Sequence, residues 1–320
     1  MRQWTVTSVF RFSKNAEPDQ IILFFWAIQN QNILNVWFAV SSSSGKKYNC
    51  VIILGPTAVG KTAIGVAVAR AFNGEIISAD SRQTYRHLDI GSGKDLEDYA
   101  ESADGPAVPY HLIDITELPA EYNVYNYQQD FYKAFKDITE RGKLPVVVGG
   151  TGMYLDAIVR DYQLVILPEN KKLHEELEAT PLEVLAERLI KLQPDLHTKC
   201  DLLEKDRVIK ALEIIEAKKQ GVDSTSVQRP EINPLIIGTT LPRPQMWENI
   251  SKRLRERLDC GMIEEVQSIH DSGISWERLE KLGLEYRFCS EYLLKVYENH
   301  QHQEFHHHLL HRYTEYRHRY

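Results

Sequence analysis

Cysteine is scarce and scattered: Cys50, Cys200, Cys260 and Cys289 contain no C-x-x-C pair. That excludes the common zinc spacings and a disulfide framework, and makes a reducing, cytoplasmic compartment the expectation. No apolar run approaches the roughly 18–20 residues of a membrane span, so no membrane association is expected. Glycine (17) and proline (13) fall in no three-residue period, which rules out a collagen-like fibre. Positive charge is also short: 38 Lys and Arg face 45 Asp and Glu, a net of −7. Such a chain has no global attraction for nucleic acid, so any RNA site has to be a local basic patch. What remains is 320 residues, 43% hydrophobic and 26% charged, with no internal repeat. That is enough for one large globular domain with an insertion, or for two domains.

Four stretches differ in character. Residues 1–47 have basic residues (Arg2, Arg11, Lys14), two apolar bursts and a Ser41–Ser44 run, and read as an unmatched N-terminal extension without chemistry. From Tyr48 strands and helices alternate, which means a parallel sheet. Cys50–Leu54, Glu75–Ala79 and Leu144–Val148 are the strands, and Ala63–Phe72 and Tyr125–Arg141 are helices. Between 160 and 232 the pattern is helical throughout, with Asn170–Ala179, Pro181–Lys191 and Glu204–Lys219 as charged amphipathic helices. Leu235–Thr239 then returns to the sheet, followed by helices at Trp247–Ser268 and Arg278–Glu298. The expected architecture is an α/β, P-loop-type core of residues 48–159 and 233–320 with a helical insertion.

The chemistry begins at Gly55-Pro56-Thr57-Ala58-Val59-Gly60-Lys61-Thr62, which fits G-x-x-x-x-G-K-[ST] between a strand and a helix. Glycines let backbone N–H groups converge on phosphate oxygens, and the helix N-terminus adds positive potential. Lys61 supplies a point charge to a terminal phosphate, and the Thr62 hydroxyl suits Mg²⁺. The loop does not say what carries the phosphates. A nucleotide hydrolase of this type also has a strand ending in Asp to hold Mg²⁺. Val146–Thr151 lacks one, whereas His111–Ile115 would place Asp114 in a strand. Asp80-Ser81-Arg82-Gln83 follows the second strand, where ligands of parallel sheets bind. Asp80 is either a general base there or the N-cap of a helix.

Several strings then coincide: GPTAVGKT at Gly55–Thr62, ISADSRQTYRHLDIGSGK at Ile77–Lys94, VPYHLIDI at Val108–Ile115 and GGTGMYLDAI at Gly149–Ile158. With DRVIKALEI at Asp206–Ile214, GMIEEV at Gly261–Val266 and GLEYR at Gly283–Arg287, they resemble the tRNA dimethylallyltransferases, also called tRNA isopentenyltransferases. The resemblance implies transfer of a prenyl group from dimethylallyl diphosphate to N6 of the adenosine beside the anticodon, position 37. It casts Lys61, Asp80 and Thr151 as catalytic, Gly55–Thr62 as the diphosphate loop, and Mg²⁺ as the cofactor. The tRNA contacts it implies are Asp80, Ser81, Arg82, Gln83, Thr151, His174, Asp206, Arg207, Lys210, Tyr286 and Arg287, with the insertion clamping the anticodon stem-loop of a tRNA bound to a monomer. Here Asp206-Arg207-Val208-Ile209-Lys210 stands for the family's Q-R-x-x-R.

Other readings stay open. One is a prenyltransferase on free adenine nucleotides, which would need no helical clamp. Another is a P-loop nucleotide kinase. A third is a catalytically impaired tRNA-binding relative, because no K-R-Q-x-T-W string follows Glu304.

Overall fold

In a computed structural model, residues 48–162, 164, 170–193, 201–219 and 229–299 are described. The order is β1 (Cys50–Leu54), α1 (Lys61–Ala71), β2 (Gly74–Ala79), β3 (Tyr110–His111), α2 (Val124–Glu140), β4 (Leu144–Gly149) and α3 (Gly152–Val159). After these come α4 (Lys171–Ala179), α5 (Leu182–Leu192), α6 (Lys205–Lys219), β5 (Pro234–Gly238), α7 (Arg243–Asp259), α8 (Met262–Asp271), α9 (Trp276–Glu280) and α10 (Leu284–Asn299). No helix among the described residues is long and apolar enough to cross a membrane.

The sheet runs β3-β2-β4-β1-β5 and every pairing is parallel. Helices cover both faces of such a sheet, which is why its central strands read as unbroken apolar runs. Ile52, Ile53, Ile76, Ile77, Val146 and Val147 are accordingly fully buried. Asn123 starts α2 by accepting the N–H groups of Tyr125 and Asn126, and Asn126 returns a bond to the Asn123 N–H. Its buried residues Tyr127, Phe131, Phe135 and Ile138 recur every three or four positions, forming one stripe. Tyr127 stacks on Tyr154 of α3 at 4.0 Å.

Two compact units are distinguished, Met1–Arg160 with Arg229–Tyr320, and Asp161–Gln228. The second unit is built on α4, α5 and α6, whose Leu177, Leu185, Leu189, Val208, Ile209, Leu212 and Ile215 form one core. In the first unit a second core, beside that of the sheet, gathers Tyr85 and Leu88 with Ile250, Leu254, Leu258, Met262, Val266 and Tyr286.

Three expectations are corrected. The helix expected over Trp247–Ser268 is two helices, α7 and α8, because Gly261 takes a left-handed φ of 96°. Likewise Arg278–Glu298 divides into α9 and α10, around Gly283 at φ 132°. Asp114 lies in no strand: β3 ends at His111, and Leu112 and Asp114 turn with φ of 63° and 56°. The Asp114 carboxylate bonds the Lys94 ammonium, so it is occupied by a structural lysine rather than aimed at a phosphate-bound metal.

Candidate active site

The carboxyl ends of β1, β4 and β2 lie side by side in the sheet, and each opens into one of the loops singled out in the sequence. The loop from β1 is Gly55–Thr62. Lys61, the first residue of α1, folds its ammonium back to donate to the Pro56 carbonyl at 2.6 Å. Withdrawal from water lowers its pKa to about 8; the Asp80 carboxylate pulls it up and the Arg253 guanidinium pushes it further down. These three charged groups therefore share one field. The β-carbon that Gly150 lacks would lie 3.8 Å from Lys61 Nζ, so the β4 loop passes beside the ammonium. The Thr62 side chain lies beside the Tyr99 hydroxyl.

The loop from β2 starts at Asp80. No helix begins there, so the N-cap alternative falls away: Asp80 Oδ1 accepts the Arg82 N–H at 2.9 Å within a turn. Thr151, from β4, ties the two loops together. Its N–H donates to the Ala79 carbonyl at 3.1 Å, and its Oγ1 accepts the Ser81 N–H at 3.0 Å. The amide of Gln83 is engaged at both ends, accepting the Ser78 hydroxyl at 2.9 Å and donating to the Gly93 carbonyl at 3.1 Å. Arg82 is half-buried and lies against Gly283.

The structure thus brings together Gly55–Thr62, Asp80, Ser81, Arg82, Gln83 and Thr151. It does not leave Tyr286 available to RNA. That residue is 1% exposed, and its hydroxyl donates to Glu265 at 2.9 Å. The expectation of a tRNA contact there is corrected, because a ring enclosed in the core has no face to offer. Arg287 is half-buried, its Nε donating to the Glu280 carbonyl at 3.3 Å. In the second unit Asp206, Arg207 and Lys210 stand exposed on α6. Arg207 pairs with Glu204 at 2.9 Å, and exposed His174 of α4 meets Glu213 of α6 at 2.9 Å.

Sequence reasoning missed two side chains of α7. Arg253 Nη2 donates to Thr57 Oγ1 at 2.5 Å, and Asn249 Nδ2 donates to the Ala58 carbonyl at 3.2 Å. The available signal was the spacing of Asn249, Arg253 and Arg257, four apart on one helical face. A polar stripe of that kind ordinarily faces solvent, and nothing local says that this one faces the phosphate loop.

The arrangement sets two cations on a phosphate-type loop and a carboxylate at the next strand end. Among the described residues no group of three His, Cys, Asp or Glu side chains is placed to hold a metal.

Comparison with known proteins agrees with this geometry. The family described as IPP transferase matches residues 83–319, and that described as isopentenyl transferase matches 48–104. A tRNA dimethylallyltransferase 2 of Treponema denticola is 48% identical over 254 residues, 78% of this chain and 83% of the relative. The chain belongs to the tRNA dimethylallyltransferase family. A solved tRNA isopentenylpyrophosphate transferase from Bacillus halodurans shares 32% identity and superposes with a TM-score of 0.56, covering 83% of this chain and 82% of that one. A eukaryotic dimethylallyltransferase acting on tRNA gives a TM-score of 0.60 at 23% identity, over 79% of this chain and 65% of that one, a likeness of fold alone. Since these relatives are named for tRNA, the free-nucleotide and kinase alternatives are not favoured. The family match also runs on to residue 319, through the stretch after Glu304 where no K-R-Q-x-T-W string is found, and residues 300–320 lie outside those described.

Proposed function

We propose that this chain transfers a dimethylallyl group from dimethylallyl diphosphate to N6 of adenosine 37 in tRNA, yielding N6-isopentenyladenosine and diphosphate. The observation that carries the reading is the shared field of Lys61 after β1, Asp80 after β2 and Arg253 of α7, with Arg253 bonded to Thr57 of the same loop as Lys61. The donor's C–O bond breaks and its electrons leave with the diphosphate, so negative charge grows on the leaving group. Lys61, Arg253 and the backbone of Thr57–Gly60 stabilise that growth in a site partly closed to water. N6 attacks the prenyl carbon, the C–N bond forms, and Asp80 accepts the N6 proton. Thr151 holds Ser81 and, through it, the start of the Asp80 loop.

Stacking within the stem-loop hides N6, so the adenine leaves its stack to reach the site. Arg82 and Arg287 in the first unit and Arg207 and Lys210 in the second supply local positive charge for tRNA phosphates, and Ser81, Gln83, His174 and Asp206 complete the contact set taken from the resemblance. Mg²⁺ fits as a companion of the donor rather than as a resident ion. It keeps several waters and needs only one or two protein oxygens beside substrate phosphates, and Thr62 offers one such oxygen. When bound, it would neutralise charge on the leaving diphosphate. The unpaired thiols of Cys50 and Cys289 suit a reducing compartment, and we propose a cytoplasmic monomer.

The test is incubation with unmodified tRNA and dimethylallyl diphosphate, nuclease digestion and mass spectrometry of nucleosides. N6-isopentenyladenosine is expected from the wild type. Asp80→Asn should still bind tRNA but transfer about 10²–10⁴-fold more slowly. Product formed on AMP and not on tRNA would overturn the proposal.

A further inference from the structure

The segment from Asp80 to Lys94 carries the acceptor-side residues, yet it belongs to no helix and forms a single bridge, Tyr85 with Thr116. Two charged side chains brace it, beside backbone bonds such as those from Arg86 to Thr116 and from Asp114 to Gln83. From within, the buried Lys94 ammonium donates to the Tyr85 carbonyl at 2.5 Å and to Asp89 at 2.9 Å. From outside, Glu265 of α8 gathers the backbone of the returning limb. One carboxylate oxygen accepts the N–H groups of Asp89 and Ile90 at 2.9 and 2.6 Å, and the other accepts that of Gly91 at 3.1 Å. The Tyr286 hydroxyl donates to the same carboxylate at 2.9 Å, and Arg257 Nη1 donates to the Gly91 carbonyl at 3.3 Å. Four donors on one carboxylate make a charge-assisted anchor, an anion seated in a backbone nest. Gly91 admits it: a β-carbon there would come within 2.7 Å of the Tyr286 ring.

The anchored limb reaches the reacting groups through Gln83, which donates to the Gly93 carbonyl at 3.1 Å and accepts from Ser78 of β2. Gln83 follows directly on Arg82, whose N–H holds the Asp80 carboxylate. We infer that Glu265 is a positioning residue for prenyl transfer. By gathering the N–H groups of Asp89, Ile90 and Gly91, it fixes the loop that presents Asp80 and Arg82 to the acceptor base. The inference rests on the function proposed above. Glu265 lies in GMIEEV, to which the resemblance gave no role, and Tyr286 in GLEYR, where it implied a tRNA contact; both side chains act here on the loop.

Two variants test this. Glu265→Gln keeps the volume but turns one acceptor into a donor that faces the loop N–H groups. With both substrates saturating and the variant folded, its single-turnover rate should fall by about 10–10²-fold, the scale of an ångström's misplacement. Its KM for dimethylallyl diphosphate should remain within about twofold of wild type, since the phosphate loop is untouched. Tyr286→Phe removes one donor and leaves the three backbone bonds, so its rate should fall about two- to fivefold with the same KM. A wild type without transfer on tRNA would fail the functional proposal and not this one. With an active wild type, wild-type rates per folded molecule in both variants would overturn the inference. So would losses that track only the folded fraction, or a donor KM rising in step with the fall in rate. Should Glu265→Gln not fold, Tyr286→Phe decides alone: a slower rate at unchanged KM supports the inference, and a wild-type rate overturns it.

Discussion

The Lys61 ammonium lies between Asp80, which favours its charge, and burial and Arg253, which oppose it. The outcome is a pKa of about 8, so the free protein loses this positive charge as the solution passes from neutral to mildly alkaline. In the proposed function, diphosphate binding requires the protonated lysine. The KM for dimethylallyl diphosphate should therefore be flat below neutrality and climb as pH rises through about 8, and Lys61→Ala should erase that inflection. The same substitution should slow transfer by about 10²–10³-fold, the usual consequence of removing one donor from developing charge. Steady-state kinetics between pH 6 and 9.5, at about constant ionic strength, would measure both. A KM profile identical in wild type and variant would show that Lys61 does not titrate against the donor.

Helix α7 shows how an element joins loops that the sequence keeps apart. Asn249, Arg253 and Arg257 reach Ala58, Thr57 and Gly91 from one face of it. The chain breaks after Asp259 and sets off again as α8, which carries Glu265. Gly261 makes the break at φ 96°, with only Glu264 Oε2, at 3.6 Å, near the place of a missing β-carbon. Space is thus open and conformation alone limits substitution. Gly261→Ala should lower stability by about 1–2 kcal/mol, the cost of a left-handed alanine. Equilibrium denaturation should show an earlier midpoint at unchanged slope. No change in midpoint would mean that the break does not depend on glycine.

At the scale of the whole molecule, the amino end of the sheet is held by charge. Glu75 of β2, 1% exposed, accepts bonds from Arg141 and from Lys143 at 2.8 Å, and meets His111 at 2.7 Å. The Arg141 guanidinium first, then Lys143 and His111, hold its carboxyl well below the usual carboxylate range against the opposing effect of burial. A carboxyl depressed on folding contributes stability that is present above its unfolded pKa and is lost as pH falls toward the folded one. The wild type should therefore melt at progressively lower temperature as pH falls from about 5 into the strongly acid range. Glu75→Gln should lose about 2 kcal/mol near neutrality, the scale of a hydrogen bond to a charged group, and show a shallower acid decline. Parallel melting curves of wild type and variant across that range would refute the assignment.

The phosphate loop, the alternation of strands with helices and the helical stretch after 160 were legible in the sequence, because each is written in neighbouring residues. A strand buried on both faces needs a continuous apolar run, and a phosphate cradle needs glycines beside a lysine. Asp80 was legible as a candidate only through its place at a strand end, and the fold removed the N-cap reading by starting no helix there. Long-range packing decided the rest. Arg253 meets Thr57 across 196 residues of chain, and Glu265 meets Ile90 across 175. Packing also drew Tyr286 inward onto Glu265 and diverted Asp114 to Lys94. Local patterns report which residues share a face, since helix and strand periods are fixed by the backbone. What that face meets depends on how distant elements pack, and no local period encodes it.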